Sequence, residues 1–460
     1  MIQLSSKDKE RVLENIKNGT IDAADVSFPN LIDTIILKMK RLNLLEPLEK
    51  AFSDKRSINK NIPFHLLITL FIAAKMKIKT SLTDVPFAIT DAEILSEIGW
   101  NIWDNNRGLE EGLMDEGTLR NLISKNSVDE ILFAYNTYIQ DHVFPKMDII
   151  TDIHILDCTE IEVKLKNNKY EASEVITDND GPRRGYKLST LRGIAGDTGI
   201  IEDIRFGSIK QHDLDLSREM ILNSKMLKPG DILINDRGFI SRDIINQLKT
   251  NRGVDTYIPL KKNMIAYSEA VSIAKKQNQW NPHPNKKRKN QEIAFVEALG
   301  DFWESDNSND DVQINACVVL DKEAEEYFVF VTTDLNKSAR QIIKTYELRP
   351  EIEEDYRQLK DFWQIEDFKS TKHNFITFHI VTVLIGYIFF QLYKTTNEGR
   401  KYIGKSLPIA MKKYTGKGPK SVIIYSGQYF AVFGFLEFIQ LYSSCDTEVK
   451  KCLDPILRKV

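Results

Sequence analysis

The residues best suited to chemistry are three acids and a spaced signature. Residues 346–360 read YELRPEIEEDYRQLK, and within them Tyr346, Arg349, Glu353 and Lys360 stand in the spacing Y-x2-R-x3-E-x6-K. At ordinary residue frequencies this pattern arises by chance in roughly one chain of this length in several hundred, so it carries weight. Glu353 and Lys360 are seven apart, which puts them on one helical face about two turns from each other. Pro350 is tolerated in a first helical turn, so the helix carrying Glu353 is expected to begin there, with Tyr346 and Arg349 ahead of it after a kink. Asp157 lies inside the apolar run IHILDCTEIEV (153–163), where an unpaired carboxylate is costly. Asp236 ends the run Ile-Leu-Ile-Asn-Asp. A few carboxylates from separate rigid elements suit Mg²⁺ or Mn²⁺, which prefer oxygen ligands. Two such ions can clamp an in-line phosphoryl displacement.

Other acids compete for these places. Asp148 and Asp152 precede the strand core, and Glu160 shares the strand with Asp157. Asp231 begins its strand, at the opposite end from Asp236. His212-Asp213 opens a helix and reads either as a cap or as a group beside the metal.

The elements that must position these residues follow from periodicity. Residues 1–145 read as a helical N-terminal domain, with amphipathic stretches such as DTIILKMKRLNLLEPLEKAF and IPFHLLITLFIAAKMKI. Within it, DEGTLRNLISKN (115–126) reads as the second helix of a helix-turn-helix or as an ordinary surface helix, with Arg120 and Lys125 outward. From Asp148 the pattern switches to strands, in the order three strands, helix, strand, helix, strand, ending at DTYIPLKK (255–262). That is a mixed α/β sheet over 146–262. Residues 263–334 hold a helix, a polar basic loop and three strands, and read as a β-rich insertion; helices resume across 335–395. Residues 396–460 form a basic C-terminal region for DNA contact or dimerisation.

Composition is that of a globular protein, 42% hydrophobic and 28% charged over 460 residues, long enough for two to four domains. A net charge of −3 is not the basic excess usual in a nucleic-acid binder, so local clusters are the better test. Three suit phosphate contacts: eight basic residues from Lys394 to Lys420, the run Lys286, Lys287, Arg288, Lys289, and the set Arg183, Arg184, Lys187, Arg192. Cys158, Cys317, Cys445 and Cys452 form no CxxC pair, which argues against a zinc site or a disulfide framework. The polar start MIQLSSKDKERVLENIK is expected to be helical and no signal peptide. Phe375–Tyr393 is apolar enough to raise a membrane span, but a single segment carrying His379 and Gln391 reads better as a helix buried on all sides.

On Asp157, the Asp236-Arg237-Gly238-Phe239 run and the full signature, the chain resembles the DDE transposases of bacterial insertion sequences. The likeness is to the group defined by a Tyr-Arg-Glu-Lys signature (the insertion sequence four family), over roughly residues 150–395. The resemblance implies a ribonuclease H-like catalytic core, interrupted by a β-rich insertion between the second Asp and the Glu. The α-helical N-terminal domain shows no strong family motif, and DNA-end binding is expected of it from its position alone. It implies that Asp157, Asp236 and Glu353 ligate two Mg²⁺ (or Mn²⁺) ions. Tyr346, Arg349 and Lys360 would hold DNA phosphates around a flipped base supported by Trp303 or Trp280, each also readable as core. Arg237, Lys261 and Lys262 complete the expected DNA-binding set. The implied reaction is cut-and-paste: cleavage at the transposon ends, then strand transfer. The implied partners are inverted-repeat and target DNA and a second copy of the chain, in the bacterial cytoplasm beside the nucleoid, with no membrane. Two other readings compete: a transposase-derived DNA-binding protein without catalysis, and a ribonuclease H-like nuclease without strand transfer.

Overall fold

The β-branched run around Asp157 forms an interior strand of a ten-stranded mixed sheet. The computed structural model describes residues 6–27, 29–56, 62–79, 81–89, 91–100, 114–179, 181–303, 312–414 and 421–458. The chain divides into two compact units, Tyr135–Lys360 and a second made of Met1–Ala134 with Asp361–Val460.

In the first unit, β1 (Ile153–Val163) pairs antiparallel with β3 (Gly181–Ala195), which also pairs with β2 (Glu174–Asp178) and β4 (Thr198–Ser208). Helix α1 (Asp213–Asn223) leads to β5 (Ile232–Asn235), and α2 (Arg242–Gln247) leads to β6 (Asp255–Pro259). Strands β1, β5 and β6 are mutually parallel neighbours. Their buried Ile and Leu side chains fit strands covered on both faces. After α3 (Ile265–Gln277) come β7 (Asn281–Pro282), β8 (Gln291–Val296), β9 (Asn315–Asp321) and β10 (Glu326–Thr332). These strands continue the same sheet, because β10 pairs antiparallel with β6. The unit closes with α4 (Ala339–Tyr346), opened by a Ser338–Gln341 capping box, and α5, which starts at Pro350 and ends at Asp361.

The second unit is built on the helix His373–Thr395, whose residues from Ile376 to Lys394 are all buried. It is long and apolar enough to cross a membrane, and 94% of its apolar window lies inside the structure. Phe64–Met76 packs along it, and Gly386 marks a close approach: a Cβ there would sit 3.1 Å from Met76 Cγ and 3.2 Å from Trp363 Cζ3. The same unit holds a four-stranded sheet that the sequence reading did not foresee. It runs Ser6–Lys7, Tyr429–Gly434, Ser421–Ser426, Ala23–Ser27. AADVS is too short to show alternation, and its hydrogen-bonding partner lies at the far end of the chain, where local periodicity cannot reach it. The segment 115–126 contains a helix, Glu116–Ser124, capped by Asp115.

Candidate active site

Strand register brings the two aspartates together. The last parallel pair of β1 with β5 is Leu156 with Asn235, so Asp157, midway along β1, and Asp236, just past the carboxyl end of β5, each follow by one residue and lie side by side. Lys261 and Lys262 follow β6, the next parallel strand, and lie past the same edge; both are exposed, and Lys262 pairs with Glu326 at 3.2 Å. Arg237 is exposed in the short turn that Asp236 caps, Asp236 Oδ1 accepting the Arg237 N–H at 2.7 Å.

Glu353 comes from the first turn of α5, which is fixed to the sheet by its buried face. Ile352, Asp355, Tyr356 and Leu359 point inward at helical spacing. Tyr356 donates its hydroxyl to the Asp157 carbonyl at 2.7 Å and lies 2.7 Å from Thr190 Oγ1, Thr190 being the residue opposite Asp157 in β3. Arg192 donates from Nε to Asp355 at 2.7 Å and pairs with Glu351 at 3.0 Å. Its guanidinium lies over Gly199, where a Cβ would fall 2.0 Å from Nη2. Sequence reasoning missed Tyr356 and Asp355 and read Arg192 as a phosphate contact. The only signal for the helix pair was their place at the buried positions of α5, masked by the surrounding charge.

Arg349, between α4 and α5, sits among all three carboxylates. Its Nη2 lies 3.0 Å from Asp157 Oδ2 and 3.7 Å from Asp236 Oδ2, and its Nη1 donates to Glu353 Oε1 at 2.6 Å. Its Nε is buried and has no hydrogen-bond partner among the described residues. Burial pushes the Asp157 carboxyl up to about 6; Arg349 and the Cys158 N–H oppose this, while the Asp236 and Glu353 charges add to it. Exposure rises across the set, with side chains 13% exposed at Asp157, 38% at Asp236 and 54% at Glu353. Tyr346 packs its ring against Phe330, centroids 4.7 Å apart and tilted by 46°, and burial raises its hydroxyl above the usual phenol range despite the nearby Arg349 charge. Lys360 lies half-buried in the last turn of α5. Among the described residues no group of three or more His, Cys, Asp or Glu encloses a metal site by itself. The carboxylates converge instead on a guanidinium.

The competing acids are engaged elsewhere. His212 caps α1, its Nδ1 accepting the Leu214 N–H at 3.2 Å, while Asp213 pairs with Lys187 at 2.6 Å. Asp231 belongs to a buried network at the amino ends of β1 and β5: His154 lies 2.7 Å from Glu202 and 3.2 Å from Asp231. Glu160 pairs with Arg183. Asp148 ends a helical turn with φ +50°, and Asp152 is exposed ahead of β1. Trp303 is buried, its Nε1 donating to Asn246 at 2.9 Å, and Trp280 packs 6.2 Å from Tyr327.

The basic clusters need correcting. Arg183, Lys187 and Arg192 are paired with acids inside the unit, and Arg184 donates to the Leu165 carbonyl, so this set is structural. Lys394 is buried against Gln391. Lys417 and Lys420 lie outside the described residues.

A mixed α/β sheet with acids side by side where two parallel strands stop pairing is the class of fold and site before us. The family model described as Transposase DDE domain matches residues 151–389, just over half of the chain, and the chain belongs to that family. No curated protein matches it.

Proposed function

We propose that the chain is a cut-and-paste transposase of the Tyr-Arg-Glu-Lys group (the insertion sequence four family), with a ribonuclease H-like core that cleaves transposon ends and transfers the strands to target DNA. The observation that carries this reading is the Arg349 guanidinium held by Asp157, Asp236 and Glu353. Three carboxylates from three elements, with only oxygen donors, fit Mg²⁺ or Mn²⁺. Asp157, Asp236 and Glu353 would hold two such ions, which when bound activate a nucleophile and stabilise the leaving oxygen.

The chain's own residues grip the DNA. Arg349 compensates the carboxylates through Nη1 and Nη2 and has its buried Nε donor left for a phosphate oxygen. Tyr346 and Lys360 flank it in the signature and serve the same phosphates, with Arg237, Lys261 and Lys262 extending the contact along the sheet edge. Residues 1–145 are assigned to end recognition, 146–262 and 335–395 to the core, 263–334 to the β-rich insertion and 396–460 to DNA contact or dimerisation. Synapsis of two ends calls for a homodimer, working in the cytoplasm beside the nucleoid.

The test is incubation with the inverted-repeat DNA flanking the coding region and Mg²⁺ or Mn²⁺. Wild type is expected to nick the ends and join them to target DNA. Intact nicking by Asp157→Asn or Glu353→Gln would sink the carboxylate assignment. Specific binding without nicking would favour a non-catalytic DNA-binding protein, and nicking without joining a simple nuclease.

A further inference from the structure

The helical unit contains a cavity of about 520 Å³, within the size range of small-molecule sites. Its interior is aromatic: Phe71 from the helix Phe64–Met76, Phe368, and Phe375 and Phe378 from the helix His373–Thr395. His379 lies on the same lining, its Nε2 3.2 Å from the Gln364 carbonyl. Burial, with the Lys75 charge, holds it well below the usual imidazole range, so it is neutral at pH 7.

The rest of the lining is cationic and hydrogen-bonding. Lys75, Arg120, Lys369 and Lys372 face one carboxylate, Glu116, which pairs with Arg120 at 2.9 Å. Lys369 also pairs with Asp367 just outside. Lys75 is 6% exposed and donates to the Lys79 carbonyl at 3.3 Å. Burial brings it down to about 8, with the charges of Asp367 and Asp84 opposing the fall. A desolvated ammonium in a cavity wall gains from an incoming anion. The amino terminus of the helix His373–Thr395 has no side-chain cap, and its cap residue Lys372 lines the cavity, so its backbone dipole adds to the positive field. Ser81, Thr83, Asn121, Ser124 and Ser370 supply hydroxyl and amide groups.

Aromatic walls whose ring faces and edges can take a base, hydrogen-bonding groups and a cationic lining for phosphate are the three requirements of one ligand chemistry. We propose that this cavity binds a phosphate-bearing nucleobase, its ring among the phenylalanines and its phosphate at Lys369, Lys372 and Arg120. Two sources present that chemistry, a free nucleotide or one unstacked nucleotide of a DNA strand. The strand-borne form rests on the DNA-processing function proposed above; the cavity chemistry does not.

The full-length protein is titrated against 2-aminopurine deoxynucleoside 5′-monophosphate and, separately, a single-stranded trinucleotide with 2-aminopurine at its centre. Fluorescence quenching by stacking is the readout. Saturable quenching is expected with at least one probe, weakened about tenfold or more by Lys369→Glu with Lys372→Glu. Ser124→Trp, which fills the cavity without changing charge, is expected to abolish it, while Lys322→Glu, a charge reversal outside the lining, leaves it unchanged. Thermal melts confirm that each variant is folded. Saturation by the monophosphate identifies a free-nucleotide site, and saturation by the trinucleotide alone identifies a strand site. Quenching of neither probe by wild type, or quenching untouched by the cavity variants, overturns the proposal. Wild type separates the two readings: if it nicks DNA without quenching only the cavity is lost, and if it quenches without nicking only the catalytic assignment is lost, while Asp157→Asn is expected to quench without nicking.

Discussion

Tyr356 donates its hydroxyl to the backbone carbonyl of Asp157 at 2.7 Å, joining helix α5 to strand β1 at the residue whose side chain heads the acidic site. The acid on the strand and the acid on the helix therefore share one fixed frame. Glu353 is three residues from Tyr356, one turn along the same helix.

Tyr356→Phe removes the hydroxyl and leaves the Asp157 carbonyl and Thr190 without that partner. Stability is expected to fall by about 1–2 kcal/mol in urea denaturation. DNA cleavage is expected to fall about tenfold from misplacement of Glu353, with DNA affinity unchanged. Equal cleavage by variant and wild type would remove Tyr356 from the positioning role.

Arg349→Gln takes away the cation among three carboxylates. Because Asp236 and Glu353 are partly exposed, the loss without metal is expected at the low end for a broken pair, about 1–3 kcal/mol. Millimolar Mg²⁺ should then raise the melting temperature of the variant more than that of wild type, since a divalent ion replaces the missing charge. Identical Mg²⁺ shifts in differential scanning fluorimetry would contradict this.

His154 gives a pH signature. It is buried between Glu202 and Asp231, and although burial alone would lower it, their charges and hydrogen bonds push it up to about 9. The folded value lies above the unfolded one, near 6.5, so the stabilisation is complete below about pH 6.5 and is lost as pH rises through about 9, on the order of 3 kcal/mol in all. Denaturation from pH 6 to 10 should show this decline in wild type. His154→Gln should be less stable at pH 6 and show a flatter profile. A wild-type profile flat across that window would refute the charged His154.

Gly386 tests the packing of the helical unit. Alanine there gains about 1 kcal/mol of helix propensity but meets Met76 and Trp363 at 3.1 and 3.2 Å, so its net effect is expected near zero, with flexible Met76 giving way. Valine also crowds Trp363, and Gly386→Val is expected to cost about 1–3 kcal/mol in thermal or urea unfolding.

What was legible in the sequence was local. The apolar context of Asp157 and Asp236 marked acids at strand positions, and β1, β5 and β6 appear where alternation and turns put them. Pro350 does begin the helix carrying Glu353. The relations that give the site its frame were long-range and therefore hidden. Nothing in YELRPEIEE says that Arg349 turns back among the carboxylates, or that Arg192 in an apolar strand reaches Asp355. The basic set at 183–192 misled for the same reason, since its acidic partners come from other strands and helices.

The pairing of Ala23–Ser27 with Ser421–Ser426 has a consequence for synthesis. The first of these strands must wait for the second, made after the whole of Tyr135–Lys360, whereas that stretch is uninterrupted and its sheet is complete before Ser421 is made. Polypeptides released before Ser421 lack the partner of Ala23–Ser27, so a truncated translation product can contain every residue of the acidic site and still leave the other unit unfinished.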